Sequence, residues 1–178
     1  MQTLTERLYD GTKVDLVNKF NHKNSLSIPR LVMVSINTGI KAVDSDNKLL
    51  QYILTQVSNL AGQKAVLTKS RKAISTFKLR KGLPIGCRVT LRGKKMYQFL
   101  DRLINIALPR IRDFRGLSRK GFNQSGHYSF GIKDHGVFLE IPLDGVVKSF
   151  GLNITIVTTS KSPDEVLYLL KKINLPIK

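Results

Sequence analysis

Residues 47–108 read NKLLQYILTQVSNLAGQKAVLTKSRKAISTFKLRKGLPIGCRVTLRGKKMYQFLDRLINIAL, and this stretch decides the fold. Its opening part places Leu49, Leu50, Ile53, Leu54, Val57, Leu60 and Ala61 at three-to-four spacing, which predicts an amphipathic helix over residues 47–61. Gly62 suits the left-handed residue that closes a helix. Ala65 to Thr68 predicts a short strand. Residues 69–84 are basic, weakly periodic and marked by Gly82 and Pro84, so they predict a long, mobile loop. Ile85 to Leu91 predicts another strand. Lys94 to Leu108 predicts a second helix, with Met96, Phe99, Leu100, Leu103, Ile104 and Ala107 inward and Pro109 ending it.

The flanks extend this pattern. Leu4, Leu8, Val14, Val17 and Phe20 predict a helix or two near the start, broken by Gly11 and stopped before Pro29. Leu31 to Ile36 is rich in β-formers and predicts a strand that ends at Asn37-Thr38-Gly39. Residues 110–126 read as a basic loop, and His127–Ile132 and Leu152–Thr158 as strands. The last helix opens with Ser162-Pro163-Asp164-Glu165, a capping-box pattern with proline at the first helical position. Val166, Leu167, Leu169, Leu170 and Ile173 supply its apolar side. Helices and strands do not alternate strictly, which favours an α+β class over a doubly wound sheet.

The chain has 178 residues and is 42% hydrophobic, which predicts a single domain over residues 1–178. Within it, residues 1–27 form an N-terminal helical segment and residues 28–178 the core. No apolar leader is visible at the start, and no run approaches the ~20 apolar residues of a spanning helix. Cys87 is the only cysteine, so an internal disulfide is impossible.

Charge is the unusual feature. Thirty Lys and Arg oppose twelve Asp and Glu, for a net +18. Residues 47–100 carry twelve of those bases and no acid. Residues 101–133 add a further net +5, whereas residues 1–46 are net +1 and residues 134–178 neutral. Solubility alone does not require acids to be excluded over such a length. A polyanionic partner explains it, with nucleic acid first and an anionic membrane second. The membrane reading is weaker, because the bases fall on predicted loops and strands and not along one helix face.

Within residues 62–95, Lys64, Lys69, Arg71, Lys72, Lys78, Arg80, Lys81, Arg88, Arg92, Lys94 and Lys95 can meet phosphates and release counterions. Arginine adds a planar fork that grips phosphate or stacks on a base. Phe77, in the middle of the basic loop, is either a local apolar anchor or a stacking platform. In LPRIRDFRGLS (residues 108–118), Asp113 either pairs with a neighbouring arginine or shares a loop facing RNA or protein.

Three blocks, GQKAVLTKSRKA, PIGCRVTLRG and LPRIRDFRGLS, resemble the signature blocks of the ribosomal protein uL5 family. Asn37-Thr38-Gly39 and LNITIVTT at residues 152–159 fit the same family in the same order. The resemblance runs from about residue 28 to residue 177. It implies an antiparallel sheet with helices packed mainly on one face and long basic loops. It implies a structural protein of the large subunit that anchors 5S rRNA in the central protuberance, against 23S-type rRNA and neighbouring proteins there. Carried over by motif, the RNA-binding candidates are Asn37, Gln63, Lys64, Lys69, Arg71, Lys72, Thr90 and Arg92. For Asn37, Gln63 and Thr90 the plain alternative is a turn cap or a strand-end hydrogen bond. Thr76, Phe77, Lys78, Arg80 and Lys81 fall in the loop that the resemblance assigns to P-site tRNA. It also implies a contact with protein S-thirteen of the small-subunit head, and a ribosome of the bacterial cytoplasm or of an organelle of bacterial descent. No cofactor or metal is implied. The chain departs from the family pattern over residues 133–147, where it reads KDHGVFLEIPLDGVV and carries its proline at Pro142.

Nothing supports an enzyme. His22, His127 and His135 are isolated, without metal-binding spacing. Cys87 reads as a small strand residue, although Arg88 beside it would favour a thiolate. No phosphate-cradling glycine motif occurs, and residues 47–100 lack the acids of a two-metal nuclease site. A DNA-architectural protein or a general RNA chaperone shares the charge, but needs no partner of one particular shape.

Overall fold

The computed structural model describes residues 3–22, 24–40, 47–141, 149–160 and 162–178. Pro142 lies outside the described residues. The chain divides into two compact units. The first comprises residues 1–34, 92–130 and 155–178, and the second residues 35–91 and 131–154.

Among its described residues the first unit holds the α-helices α1 (Leu4–Phe20), α3 (Gly93–Arg102) and α4 (Pro163–Lys172). The Thr3 hydroxyl accepts from the Glu6 amide at 3.3 Å and caps α1. The helix runs straight through Gly11, contrary to the break expected there. An exposed glycine costs a helix only about 1 kcal/mol, and packing of α1 on α3 and α4 outweighs that. The apolar face expected for α1 is corrected too. Leu4 and Val14 are exposed, and the buried positions are Thr5, Tyr9, Thr12 and Leu16. The polar members of that set are satisfied. Thr5 bonds the Asp101 carboxylate at 3.3 Å, Tyr9 the Pro29 carbonyl at 3.3 Å and Thr12 the Leu8 carbonyl at 2.6 Å.

Regular α-geometry in α3 stops at Arg102, earlier than periodicity suggests. A π-turn over Leu103–Ala107 and a 3-10 turn over Leu108–Arg110 follow. Pro109 cannot donate to the ladder, and the wider turn before it still buries Leu103, Ile104, Ala107 and Leu108. The capping box of α4 is also corrected. Ser162 is the N-cap residue but its hydroxyl makes no cap bond. Instead the Ser160 hydroxyl accepts from the Ser162 amide at 3.0 Å and donates to Glu165 at 2.6 Å.

The second unit holds α2 (Asn47–Ala61), β2 (Val66–Lys69) and β3 (Pro84–Leu91). Leu50, Ile53, Val57 and Leu60 of α2 are buried, and Gly62 follows at φ +62°. Strands β1 (Leu31–Gly39), β4 (Tyr128–Ile132) and β5 (Leu152–Thr158) contribute residues to both units.

The sheet is antiparallel, with strand order β2-β3-β1-β5-β4. Val66 pairs with Arg88, Leu67 with Cys87 and Thr68 with Gly86. β1 is longer than expected, because Asn37, Thr38 and Gly39 lie inside the strand and do not end it. Two contacts hold that end. The buried Thr38 hydroxyl donates to the Gly151 carbonyl at 2.7 Å. The Thr38 carbonyl sits so close to Gly86 that a β-carbon there would stand 2.3 Å from it.

Burial alternates along the strands. Val34, Ile36 and Thr38 of β1 are buried, as are Cys87, Val89 and Leu91 of β3 and Leu152, Ile154, Ile156 and Thr158 of β5. The residues between them stay half-buried or exposed, so these strands are covered on one side only. The expected α+β class with an antiparallel sheet is therefore found.

Gly86→Ala is expected to lower stability by about 1–3 kcal/mol, since neither neighbouring strand can yield without breaking its ladder. A fall in the urea midpoint, read by circular dichroism, checks this.

Candidate RNA interface

The uncovered side of the pleat is mostly polar, although the exposed Val66 of β2 pairs with Arg88 on it. In the second unit it presents Ser35 and Asn37 from β1, Arg88 and Thr90 from β3, Thr68 from β2 and Asn153 from β5. In the first unit it presents Met33 of β1, Ser129 of β4 and Thr155 of β5, with the two hydroxyls 3.0 Å apart. Amides and hydroxyls on a sheet face can bond phosphates, 2′-OH groups and base edges.

Asn37 and Thr90 both fall on this side, each half-buried. Gln63 lies just past α2 and donates its Nε2 to the Thr90 carbonyl at 3.3 Å. That bond is the strand-end role expected as the plain alternative for Gln63. Arg92 follows β3 and is the N-cap residue of α3, without a side-chain cap bond. Its Nη2 donates to the Met33 sulfur at 3.4 Å. Lys64, Lys69, Arg71 and Lys72 are exposed around β2.

Residues 70–83 form a closed hairpin extension where the sequence suggests an irregular loop. Ser70 and Leu83 bond at 2.8 Å at its base, and Ile74 and Leu79 exchange two bonds of 3.0 Å near its tip. A 3-10 turn over Ser75–Phe77 and a left-handed Lys78 (φ +52°) reverse the chain. Thr76, Phe77, Lys78, Arg80 and Lys81 are all exposed. Phe77 is 65% exposed, so it is not a local apolar anchor here. Its ring is available for stacking.

Among the described residues no ion pair joins Asp113 to Arg110, Arg112 or Arg115. Asp113 instead occupies a left-handed turn at φ +54°. The pairing reading of that loop is thereby corrected.

Sequence reasoning missed Met33, Ser35, Ser129, Asn153 and Thr155. The alternation in LNITIVT carried part of that signal, because residues 153 and 155 fall opposite the apolar ones.

The groups tested as catalytic are quiet. Burial pushes the Cys87 thiol up to about 11, so it stays protonated near neutrality. His135 is buried and stacks on Phe150 with ring centres 4.0 Å apart. Its Nδ1 accepts from the Phe150 amide at 3.3 Å, which requires an unprotonated nitrogen. Burial holds its pKa below the ordinary value of 6.5, against the smaller opposing pull of Asp134. Among the described residues no cluster of His, Cys, Asp and Glu could hold a metal ion, and no helix is long and apolar enough to cross a membrane.

Comparison with known proteins decides the family. The family model of ribosomal protein L5 matches residues 24–80, and the model of the same family's C-terminus matches residues 84–177. The chain belongs to the ribosomal L5 family. The large ribosomal subunit protein uL5 of Nitrosomonas europaea is 44% identical over 178 residues, covering 100% of this chain and 99% of that protein. Its namesake in Nitratidesulfovibrio vulgaris strain DP4 is 46% identical over 177 residues, covering 99% of each. The one in Geotalea daltonii is 48% identical over 163 residues, covering 92% of this chain and 91% of that protein. Members of the family are structural proteins of the ribosome and not enzymes.

The buried His135 ties stability to pH. Unfolded His135 binds a proton more readily than the folded form, so folding is favoured above the ordinary histidine range and loses stability as pH falls through about 6.5. His135→Gln is expected to flatten the stability profile between pH 7 and about pH 5 relative to the native chain. Urea midpoints across that range check this.

Proposed function

We propose that the chain anchors 5S rRNA in the large ribosomal subunit through the uncovered side of its sheet and the basic segments around β2. As a member of its family it is a structural constituent of that subunit. The observation that carries the reading is the polar side of β1 and β3, where Asn37 and Thr90 face outward and an exposed Arg92 follows directly. Basic residues supply affinity that falls with salt, and the amides and hydroxyls supply fit to a folded RNA. The family resemblance adds contacts with 23S-type rRNA and neighbouring central-protuberance proteins. We read residues 1–178 as one domain, in keeping with the length and hydrophobic fraction of the chain.

The hairpin extension supports a second contact, to P-site tRNA, through Thr76, Phe77, Lys78, Arg80 and Lys81. Exposed cations and one exposed ring suit an RNA that is touched without a base code. The family resemblance adds a contact with S-thirteen of the small-subunit head, for which the LPRIRDFRG loop is the candidate surface. The place of work is the ribosome of a bacterial cytoplasm or of an organelle of bacterial descent.

Arg92→Ala is expected to weaken 5S rRNA binding by about 1–3 kcal/mol, the range for a charge-assisted hydrogen bond. A titration against 5S rRNA, a random transcript of equal length and a DNA duplex of equal charge reads this. Equal affinity of the native chain for all three would favour a general nucleic-acid chaperone. Shortening residues 73–82 to a tight turn, which keeps Arg71 and Lys72, is expected to leave 5S binding within about threefold while impairing translation in a reconstituted system. Loss of 5S binding in that variant would place the hairpin in the 5S site.

A further inference from the structure

We propose that Met33 is a positioning residue for RNA binding: its thioether aims the Arg92 guanidinium while leaving the arginine charge unpaired. The inference rests on the reading that this side of the sheet binds RNA.

The geometry is local. Met33 lies on the uncovered side of β1, half-buried, and its sulfur accepts from Arg92 Nη2 at 3.4 Å. Arg92 has extended backbone (φ −137°, ψ 161°) at the start of α3, and its side chain takes no part in capping that helix. Among the described residues no carboxylate pairs with it. Residues 47–100 contain no acid that could do so locally. The thioether is thus the partner that gives this exposed side chain a direction.

The chemistry of that partner matters. An arginine side chain is rotamer-rich, and ordering it on binding costs entropy. A neighbour that orients it beforehand lowers that cost. A carboxylate would orient it more strongly but would cancel the charge a phosphate needs. A branched aliphatic side chain would fill the same space without accepting a hydrogen bond. A thioether is a soft, neutral acceptor that occupies one guanidinium donor and leaves the others free. The site therefore holds a directed cation of full charge.

Titration of the whole chain with 5S rRNA at several salt concentrations tests this, using Met33→Leu, Met33→Gln, Met33→Glu, Arg92→Ala and the Leu/Ala double variant. Met33→Leu is expected to weaken binding about threefold, the scale of one weak hydrogen bond. Met33→Gln, whose amide oxygen accepts from the guanidinium, is expected to restore affinity to near the native value. Met33→Glu is expected to weaken binding further and to reduce the salt slope by about one, as Arg92→Ala does. In the Arg92→Ala background, Met33→Leu is expected to change nothing. Native affinity in Met33→Leu overturns the inference. So does an equal loss with Arg92 already removed, because that loss would come from strand packing. A native chain that prefers 5S rRNA no more than a random transcript sinks the RNA-binding reading itself, and is told apart by the wild-type titration alone.

Discussion

A pleated strand sends successive side chains to opposite sides, and in β1, β3 and β5 only one of those sides is covered. This asymmetry governs the rest of the molecule. The covered side takes Val34, Ile36, Val89, Leu91, Ile154 and Ile156, whose burial drives folding. The other side carries mostly asparagine, serine, threonine and arginine, which lose little by staying wet, with Met33 and Val66 among them. A polar face of this kind is stable in isolation and can still exchange water for RNA. The strand pairing beneath it depends on small details, such as the bare α-carbon of Gly86 beside the Thr38 carbonyl.

Electrostatics adds a second division. Glu6, Asp10, Asp15, Asp101, Asp164 and Glu165 sit on or within the helices of the first unit, where several have local partners. Lys13 meets Asp10 at 2.7 Å and Lys172 meets Asp15 at 2.6 Å. Such exposed pairs add little stability, but they consume positive charge. Among the described residues no carboxylate pairs with a cation of β2, β3 or the hairpin, so the positive charge there is not cancelled by such pairs. A polyanion that neutralised these cations would relieve their mutual repulsion, which ties binding to ionic strength.

Helix α2 was legible to its last residue, because a strong three-to-four apolar rhythm needs no outside help. Strands β3 and β5 were legible for a similar reason, with β-formers bounded by turn residues. Weak signals were overridden by packing. Gly11 reads as a breaker, yet neighbours on α3 and α4 hold α1 together across it. Asn37-Thr38-Gly39 reads as a stop, yet the Thr38 hydroxyl donates to the Gly151 carbonyl and the Ile40 amide to the Ile85 carbonyl of β3, which hold this end of β1 extended. Ser162 reads as a side-chain cap, yet Ser160 takes Glu165 first. In the candidate interface, Asn37, Gln63, Thr90 and Arg92 were found through sequence blocks. Ser129 and Thr155 came together only when β4 paired with β5.

Amino-acid order by itself determined the α+β class, the family and the segregation of charge. These depend on local periodicity, residue blocks and counts, which survive without any long-range contact. Tertiary structure alone decided which polar residues share the open side of the sheet, that the basic segment closes into a bonded hairpin, and that a methionine far away in sequence meets Arg92. Those outcomes depend on strand register, and register is set by contacts between segments that no local pattern records.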